Sequence, residues 1–417
     1  MKLALRHRQP PSLRYLLILG ACLRILWILL CPNEPSSDQV MYDEYARMLA
    51  QGHGYSYANG EVAGWWPVGY SALIAPFYFL FGERLIVASL LNLVLGCLSI
   101  ALCYFIGRDL ISEKGGRYAA LLFAIHPSFI LYTTVIGSEN AAIPTALLFI
   151  WLCLHAALAE HFDWRLACLA GISLAAAACV RAPSVLLGLS PLLLCWTWRR
   201  SWSRTFAFTG LVGVVCIAML LPWGFRNQHH FDRFSLFSLN GQSNFWMGNH
   251  QGTDGGYAEP PAESMAMSLV EGEDYMGEQA WRFVRENPVK YLSLCLQRSV
   301  MTMQSDTIAA QWNEIGIHKR FGEDTKMVTL LKLTTSAYHY LLLLGFVLTL
   351  YHLLSKKAFT REYCFLVCVA GICAAPFILI VGGNRYHLPM MAVTCIIVGC
   401  LMAEFRQRTT PDRFARD

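Results

Sequence analysis

The chain has 417 residues, 55% of them hydrophobic and only 15% charged, against roughly 25% charged in soluble domains, and its mean hydropathy is +0.41. This excludes a string of soluble domains and makes lipid the solvent for most of the sequence. The net charge of +5 is too small and scattered for a nucleic-acid partner, and the 15 Cys lie almost entirely in apolar runs without a CxxC pair, so they read as small core hydrophobes rather than disulfides.

A bilayer core about 30 Å thick takes roughly 17–25 helical residues. About ten candidate runs stand on or near that scale: 14–31, 86–107, 118–135, 141–159, 166–180, 183–198, 205–222, 335–354, 363–382 and 387–404, of which 166–180 and 183–198 are short and separated only by Arg181-Ala-Pro. The first lacks a small-residue cleavage site and reads as a retained helix. The apolar stretch 71–82 is too short to span and fits an interfacial or re-entrant helix. The predicted fold is therefore an all-α polytopic membrane protein with interfacial helices and a large mixed non-cytoplasmic loop. Its expected modules are 1–222 (about seven helices, with the outer loop 32–85), the loop 223–334, and 335–417 (about three helices and a tail).

Orientation follows from Lys and Arg. With the N-terminus in the cytoplasm, the inner segments hold Lys2, Arg6, Arg8 and Arg14; Arg108, Lys114 and Arg117; Arg165; Arg199, Arg200 and Arg204; Lys356, Lys357 and Arg361; and Arg406, Arg408, Arg413 and Arg416. The short outer turns carry few charges. Several charged residues then gather at the outer face: Asp38 and Asp43 after the first span, Glu139, Arg181, Arg226 and Arg385. Charges near bilayer depth are costly and usually functional, and mixed carboxylates and guanidiniums suit an anionic substrate arriving through the lipid.

After the first span, Tyr42, Tyr45, Ala46 and Leu49 recur at helical spacing, which predicts an amphipathic helix at the interface. Ser36 or Ser37 is placed to cap it, with Asp38 in its first turn near the positive end of the helix. Gly64-Trp65-Trp66-Pro67-Val68-Gly69-Tyr70 reads as an aromatic interfacial turn. Beyond Pro222, the Gly, Asn, Asp and aromatic content predicts turns and short strands. The stretch 286–304 mixes apolar and basic residues and predicts an amphipathic helix along the outer surface. Near the end, Gly382-Gly383-Asn384-Arg385-Tyr386-His387 opens the last span.

These segments resemble the GT-C class of membrane glycosyltransferases, and within it the bacterial relatives of protein O-mannosyltransferases and lipid A aminoarabinose transferases. The matching positions run in order: Asp38, Tyr42, Ala46, Leu49, Gly52, Gly54 and Tyr55; Trp66 to Gly82; Ser138-Glu139; Val180-Arg181; Pro222-Trp223 with Arg226-Asn227; Gly248-Asn249; and Arg385-Tyr386 with Pro389. The segment at Trp66 lacks two of the family's prolines and the Lys of the aminoarabinose branch. Asp38 is followed by Gln39, where the mannosyltransferases carry Asp-Glu. These departures leave the sugar and the acceptor open.

The resemblance implies transfer of a sugar from a polyprenyl-phosphate donor to a hydroxyl acceptor (a cell-envelope glycan, lipid or protein), with inversion. It places the chain in a bacterial inner membrane, with its site on the periplasmic or extracellular side. A lipid phosphate leaves as an anion, so the chemistry asks for a base on the acceptor and positive charge on the phosphate. Asp38 is the expected base, by resemblance and by position. Arg226 and Arg385 are expected on the phosphate, since the guanidinium fork suits its oxygens. Glu139 is expected to orient the acceptor or hold a divalent metal ion, and Tyr42, Arg181, Asn249 and Tyr386 to line the substrate site. His53, His229, His230, His250 and His387 form no tight ligand motif, so no metal site is assigned. The competing reading is a transporter or flippase of a lipid-linked or anionic substrate. Against it, the halves show no repeat, and the charges sit at one surface rather than at the midplane.

Overall fold

Helix α1 (Leu13–Leu30) is followed by two helices of the first outer loop, α2 (Asp38–Ala50) and α3 (Val68–Phe81). Then come α4 (Leu85–Leu110), α5 (Glu113–Ala124), α6 (Pro127–Leu131), α7 (Glu139–Leu158), α8 (Trp164–Val180), a 3-10 run Ala182–Leu189, α9 (Ser190–Trp198) and α10 (Trp202–Phe231). The second outer loop holds α11 (Gly241–Gly248), α12 (Ala262–Met265), α13 (Leu269–Glu286), α14 (Pro288–Met303), α15 (Ile308–Gln311) and α16 (Glu314–Phe321). Three long helices close the chain: α17 (Met327–Ser355), α18 (Arg361–Leu379) and α19 (Leu388–Arg408). This is a computed structural model that describes residues 10–32, 34–198, 201–356 and 360–408. Lys2, Arg6, Arg8, Arg199, Arg200, Lys357, Arg413 and Arg416, which carry part of the orientation argument, lie outside the described residues.

Seven helices, α1, α4, α7, α10, α17, α18 and α19, are long and apolar enough to cross a bilayer; α3, α8 and the run Ala182–Trp196 are shorter apolar helices. The chain is a multi-pass membrane protein. Side chains such as Leu29 on α1, Val214 on α10 and Leu341 on α17 are apolar and exposed, as a lipid-facing surface requires. By contrast, 78% of the apolar window of α19 is buried, against 22% for α1, α10 and α17, so α19 is the central post of the bundle.

The expected span 118–135 is not one helix. Pro127 disfavours helical geometry at the preceding residue, and here His126 adopts φ −64°, ψ 116° and α6 restarts with proline at its first position. Asn92 of α4 donates its amide to the Thr133 and Val135 carbonyls, and Asn140 donates to Val135 as well. These bonds satisfy backbone carbonyls in an apolar interior where the 3-10 turn Tyr132–Thr134 ends before α7. The expected strands after Pro222 are also absent. Helix α10 continues through Pro222 to Phe231, and among the described residues the one strand-like feature is an isolated bridge between Ser56 and Val62. The turn residues do turn the chain at Gly252 and Gly255, with φ of +87° and +95°.

Helix α5 is pressed between α4 and α19 on small residues. A Cβ on Gly116 would lie 2.4 Å from the Tyr104 carbonyl, and one on Gly399 2.4 Å from the Ala119 nitrogen. Small residues allow this backbone approach inside a membrane bundle. The apolar face of α2 turns inward rather than to lipid: Tyr42, Tyr45 and Ala46 are buried, and Tyr42 meets Tyr70 of α3 edge-on at 5.6 Å. Helix α14 has the two faces expected of it, with Leu294 in the core and Val289, Leu292, Leu296 and Val300 exposed.

Candidate active site

Asp38 is the first residue of α2. No serine side chain caps that helix; instead Ser37 takes a left-handed backbone, φ 54°, a strained geometry that persists only where its surroundings fix it. The buried neighbour Gln39 does the fixing. Its amide donates to the Trp312 carbonyl at 3.2 Å and accepts from the Ile136 N–H at 3.1 Å. A glutamate could not make both bonds, which gives the departure from Asp-Glu a structural reason.

The Asp38 carboxylate pairs with Arg385 at 2.6 Å, each side chain about a quarter exposed (25% and 24%). Glu139, the first residue of α7, is buried and pairs with Arg181 at 2.9 Å, just past the end of α8. The two pairs meet at Tyr386. The Arg181 guanidinium carbon lies 5.2 Å from the centroid of its ring and that of Arg385 5.3 Å, while Phe377 stacks on the ring at 4.5 Å. Trp312 lies under Arg385 at 4.9 Å. Burial opposes charge on Arg385, but Tyr386, Asp38 and Glu139 more than offset it and hold the guanidinium firmly protonated. Tyr42 completes the group. Burial, and next the charge of Asp38, push its hydroxyl pKa up, and it shares a hydrogen bond with Ser138.

Six of the eight residues singled out in the sequence thus converge: Asp38, Tyr42, Glu139, Arg181, Arg385 and Tyr386. Arg226 does not join them through any hydrogen bond or ion pair among the described residues. It donates to the Tyr55 carbonyl at 3.0 Å and to Asn227, walled by Trp223, Tyr55 and Phe231. Asn249 is fully buried and works on the backbone, donating to the Ile380 carbonyl and accepting from Arg298 at 2.7 Å. It thereby anchors the start of the segment that leads to Arg385. Sequence reasoning missed Gln39, Trp312 and the fully buried Arg298; a polar or aromatic residue carries no local sign of a partner tens to hundreds of positions away.

One oxygen of each carboxylate, Asp38 Oδ2 and Glu139 Oε1, is met by an arginine. Of the histidines, His229 and His230 lie against each other and His250 stacks on Trp246. His387 alone of those named above falls in a group of three metal-ligating side chains, with Asp306 and His339, among the described residues.

Residues 66–224 match the profile of the family described as dolichyl-phosphate-mannose-protein mannosyltransferase. Among solved structures, an oligosaccharyltransferase from Archaeoglobus fulgidus, determined in complex with Zn and sulfate, superposes with a TM-score of 0.57 at 14% identity, over 94% of this chain and 49% of that one. The archaeal oligosaccharyltransferase AglB from the same organism, with an inhibitory peptide and a dolichol-phosphate, superposes with a TM-score of 0.56 at 14% identity, over 97% of this chain and 52% of that one. The chain has the GT-C fold. It spans about half the length of these structures, so the GT-C match describes its architecture and not their further domains. A looser likeness, TM-score 0.46 at 13% identity, is to ArnT from Cupriavidus metallidurans bound to undecaprenyl phosphate, over 95% of this chain and 79% of that one. No curated protein sequence matches the chain.

Proposed function

We propose that the protein transfers a sugar from a polyprenyl-phosphate donor to a hydroxyl acceptor of the cell envelope, on the non-cytoplasmic face of a bacterial inner membrane. One observation carries the reading: two arginine–carboxylate pairs from four separate segments meet at the ring of Tyr386. A phosphate entering beside Tyr386 competes with the carboxylates for both guanidiniums, and the bidentate fork suits its oxygens. Drawing Arg385 onto the phosphate releases Asp38, which then takes the proton from the acceptor hydroxyl. The acceptor oxygen bonds to the sugar carbon as the carbon–oxygen bond to phosphate breaks, and the electron pair leaves on the phosphate. One direct displacement inverts the configuration. Arg181 shares the developing negative charge, Glu139 holds Arg181 in place, and Arg226 fixes the wall of the site through the Tyr55 carbonyl.

The likeness to a structure that holds a dolichol-phosphate supports a lipid-phosphate donor. The basic inner segments support the outward orientation, with 32–85 and 223–334 outside. The transporter reading has the fold match against it. Purified protein incubated with short-chain polyprenyl-phosphate sugars should release polyprenyl phosphate only when a hydroxyl acceptor is added; transport of intact donor without cleavage would reverse the choice.

A further inference from the structure

Away from the two ion pairs, three fully buried side chains meet where the last helices join the outer loop: Asp306 between α14 and α15, His339 on α17, and His387 just before α19. One ligand-capable atom from each lies within 4.8 Å of the others. Their hydrogen bonds fix the tautomers. The His387 Nδ1 lies 2.9 Å from the Thr302 carbonyl and the His339 Nε2 2.8 Å from the Met303 carbonyl. A carbonyl only accepts, so each of these nitrogens carries the hydrogen, and in a neutral ring the other nitrogen is a bare lone pair. Those lone pairs, His387 Nε2 and His339 Nδ1, have no hydrogen-bond partner, and neither does Asp306 Oδ1. The His387 Nε2 stands 3.6 Å from Asp306 Oδ1. The second Asp306 oxygen accepts from the Ser128 hydroxyl.

Three electron-rich atoms facing one another in a buried pocket repel unless a cation lies between them. A proton on His387 would answer Asp306 but leave His339 unmatched. We propose that Asp306, His339 and His387 bind a transition-metal ion, zinc being the best fit to two imidazoles and a carboxylate. Donors about 2.1 Å from a tetrahedral centre stand roughly 3.4 Å apart, close to the 3.6 Å between His387 Nε2 and Asp306 Oδ1; the His339 nitrogen, within 4.8 Å of both, has only a short way to move. Each ligand is also steadied from behind, the imidazoles by backbone carbonyls and the carboxylate by Ser128, as metal ligands are. His126, fully buried with both ring nitrogens unpaired, lies outside this group of three, so the fourth position is left to a water molecule.

The ion would act as a clasp. Gly383 and Asn384 already bond Thr302 and Thr307, so a metal on Asp306, His339 and His387 pins the segment bearing Arg385 and Tyr386 to α17 and the outer loop. The site is structural, and its existence does not depend on the reaction proposed above. The test is metal content. Full-length protein purified without chelator, then loaded with zinc or cobalt and desalted, should retain one ion per chain, with the cobalt form showing tetrahedral absorption bands. His387→Ala, His339→Ala and Asp306→Asn should lose it, while His250→Ala should keep it. If the variants do not fold, the wild-type cobalt spectrum and a fall in Tm on chelation decide. Folded wild type that retains no metal, or metal retained equally by His387→Ala, overturns the proposal and leaves a His387–Asp306 ion pair in its place.

Discussion

Glu139 and Arg181 show how burial changes what a charged pair is worth. With side chains only 2% and 13% exposed, removing one partner leaves a buried charge uncompensated, a loss of about 3–5 kcal/mol. Arg181→Met should therefore lower Tm strongly, and Glu139→Gln added to it should restore most of the loss while leaving the protein inactive. Recovery of Tm by the double variant, read by thermal melting in detergent, checks this. Tyr386 acts through its ring face, so Tyr386→Phe should keep donor binding. Tyr386→Ala should weaken it several-fold, since each guanidinium resting on the ring gives up about 1 kcal/mol of cation–π attraction. At this scale the sequence was informative where a charge stood at the edge of an apolar run, as for Asp38, Glu139, Arg181 and Arg385. It was silent on Gln39, Asp306 and His339, whose importance lies in partners supplied by distant segments.

At the scale of elements, apolar periodicity located the long helices to within a few residues at most ends. It could not see the break at His126-Pro127, because the flanking residues stay apolar while the backbone leaves the helix. Nor could it see that α10 runs on through Pro222, because its last turns are polar. The packing of α5 on α19 depends on glycine: Gly399→Leu would drive a side chain into the Ala119 backbone and should prevent stable assembly of the bundle, whereas Gly371→Ala on α18, where nothing lies within 4 Å, should be tolerated. Expression and gel-filtration profiles distinguish the two. In the outer loop, Glu273 of α13 accepts from the Gln242 and Ser243 amides at the start of α11. Burial raises its pKa despite these bonds, so its folded value lies above its unfolded one. Its contribution to stability is full below the unfolded pKa and is lost as pH rises through the folded one. Glu273→Gln should thus gain stability over wild type above that range, and the gain should vanish in acid. A Tm difference that does not change with pH would contradict the assignment.

For the whole molecule, the first and last thirds of the chain share one core, since α19 packs on α4, α5 and α7. The proposed orientation predicts that Tyr257→Cys, at an exposed loop position, reacts with an impermeant thiol reagent in intact cells. Labelling only after the membrane is ruptured would turn the molecule over and remove the proposed mechanism with it. The central claim is that Asp38 serves the acceptor while Arg385 serves the donor phosphate, although the two are paired at rest. Donor binding and sugar transfer should therefore be measured separately on wild type, Asp38→Asn and Arg385→Ala. Asp38→Asn should bind donor at least as well as wild type, because Arg385 is released, yet transfer about 10²–10⁴-fold more slowly; Arg385→Ala should lose donor affinity. Normal transfer by Asp38→Asn, or unchanged donor binding by Arg385→Ala, would contradict the account.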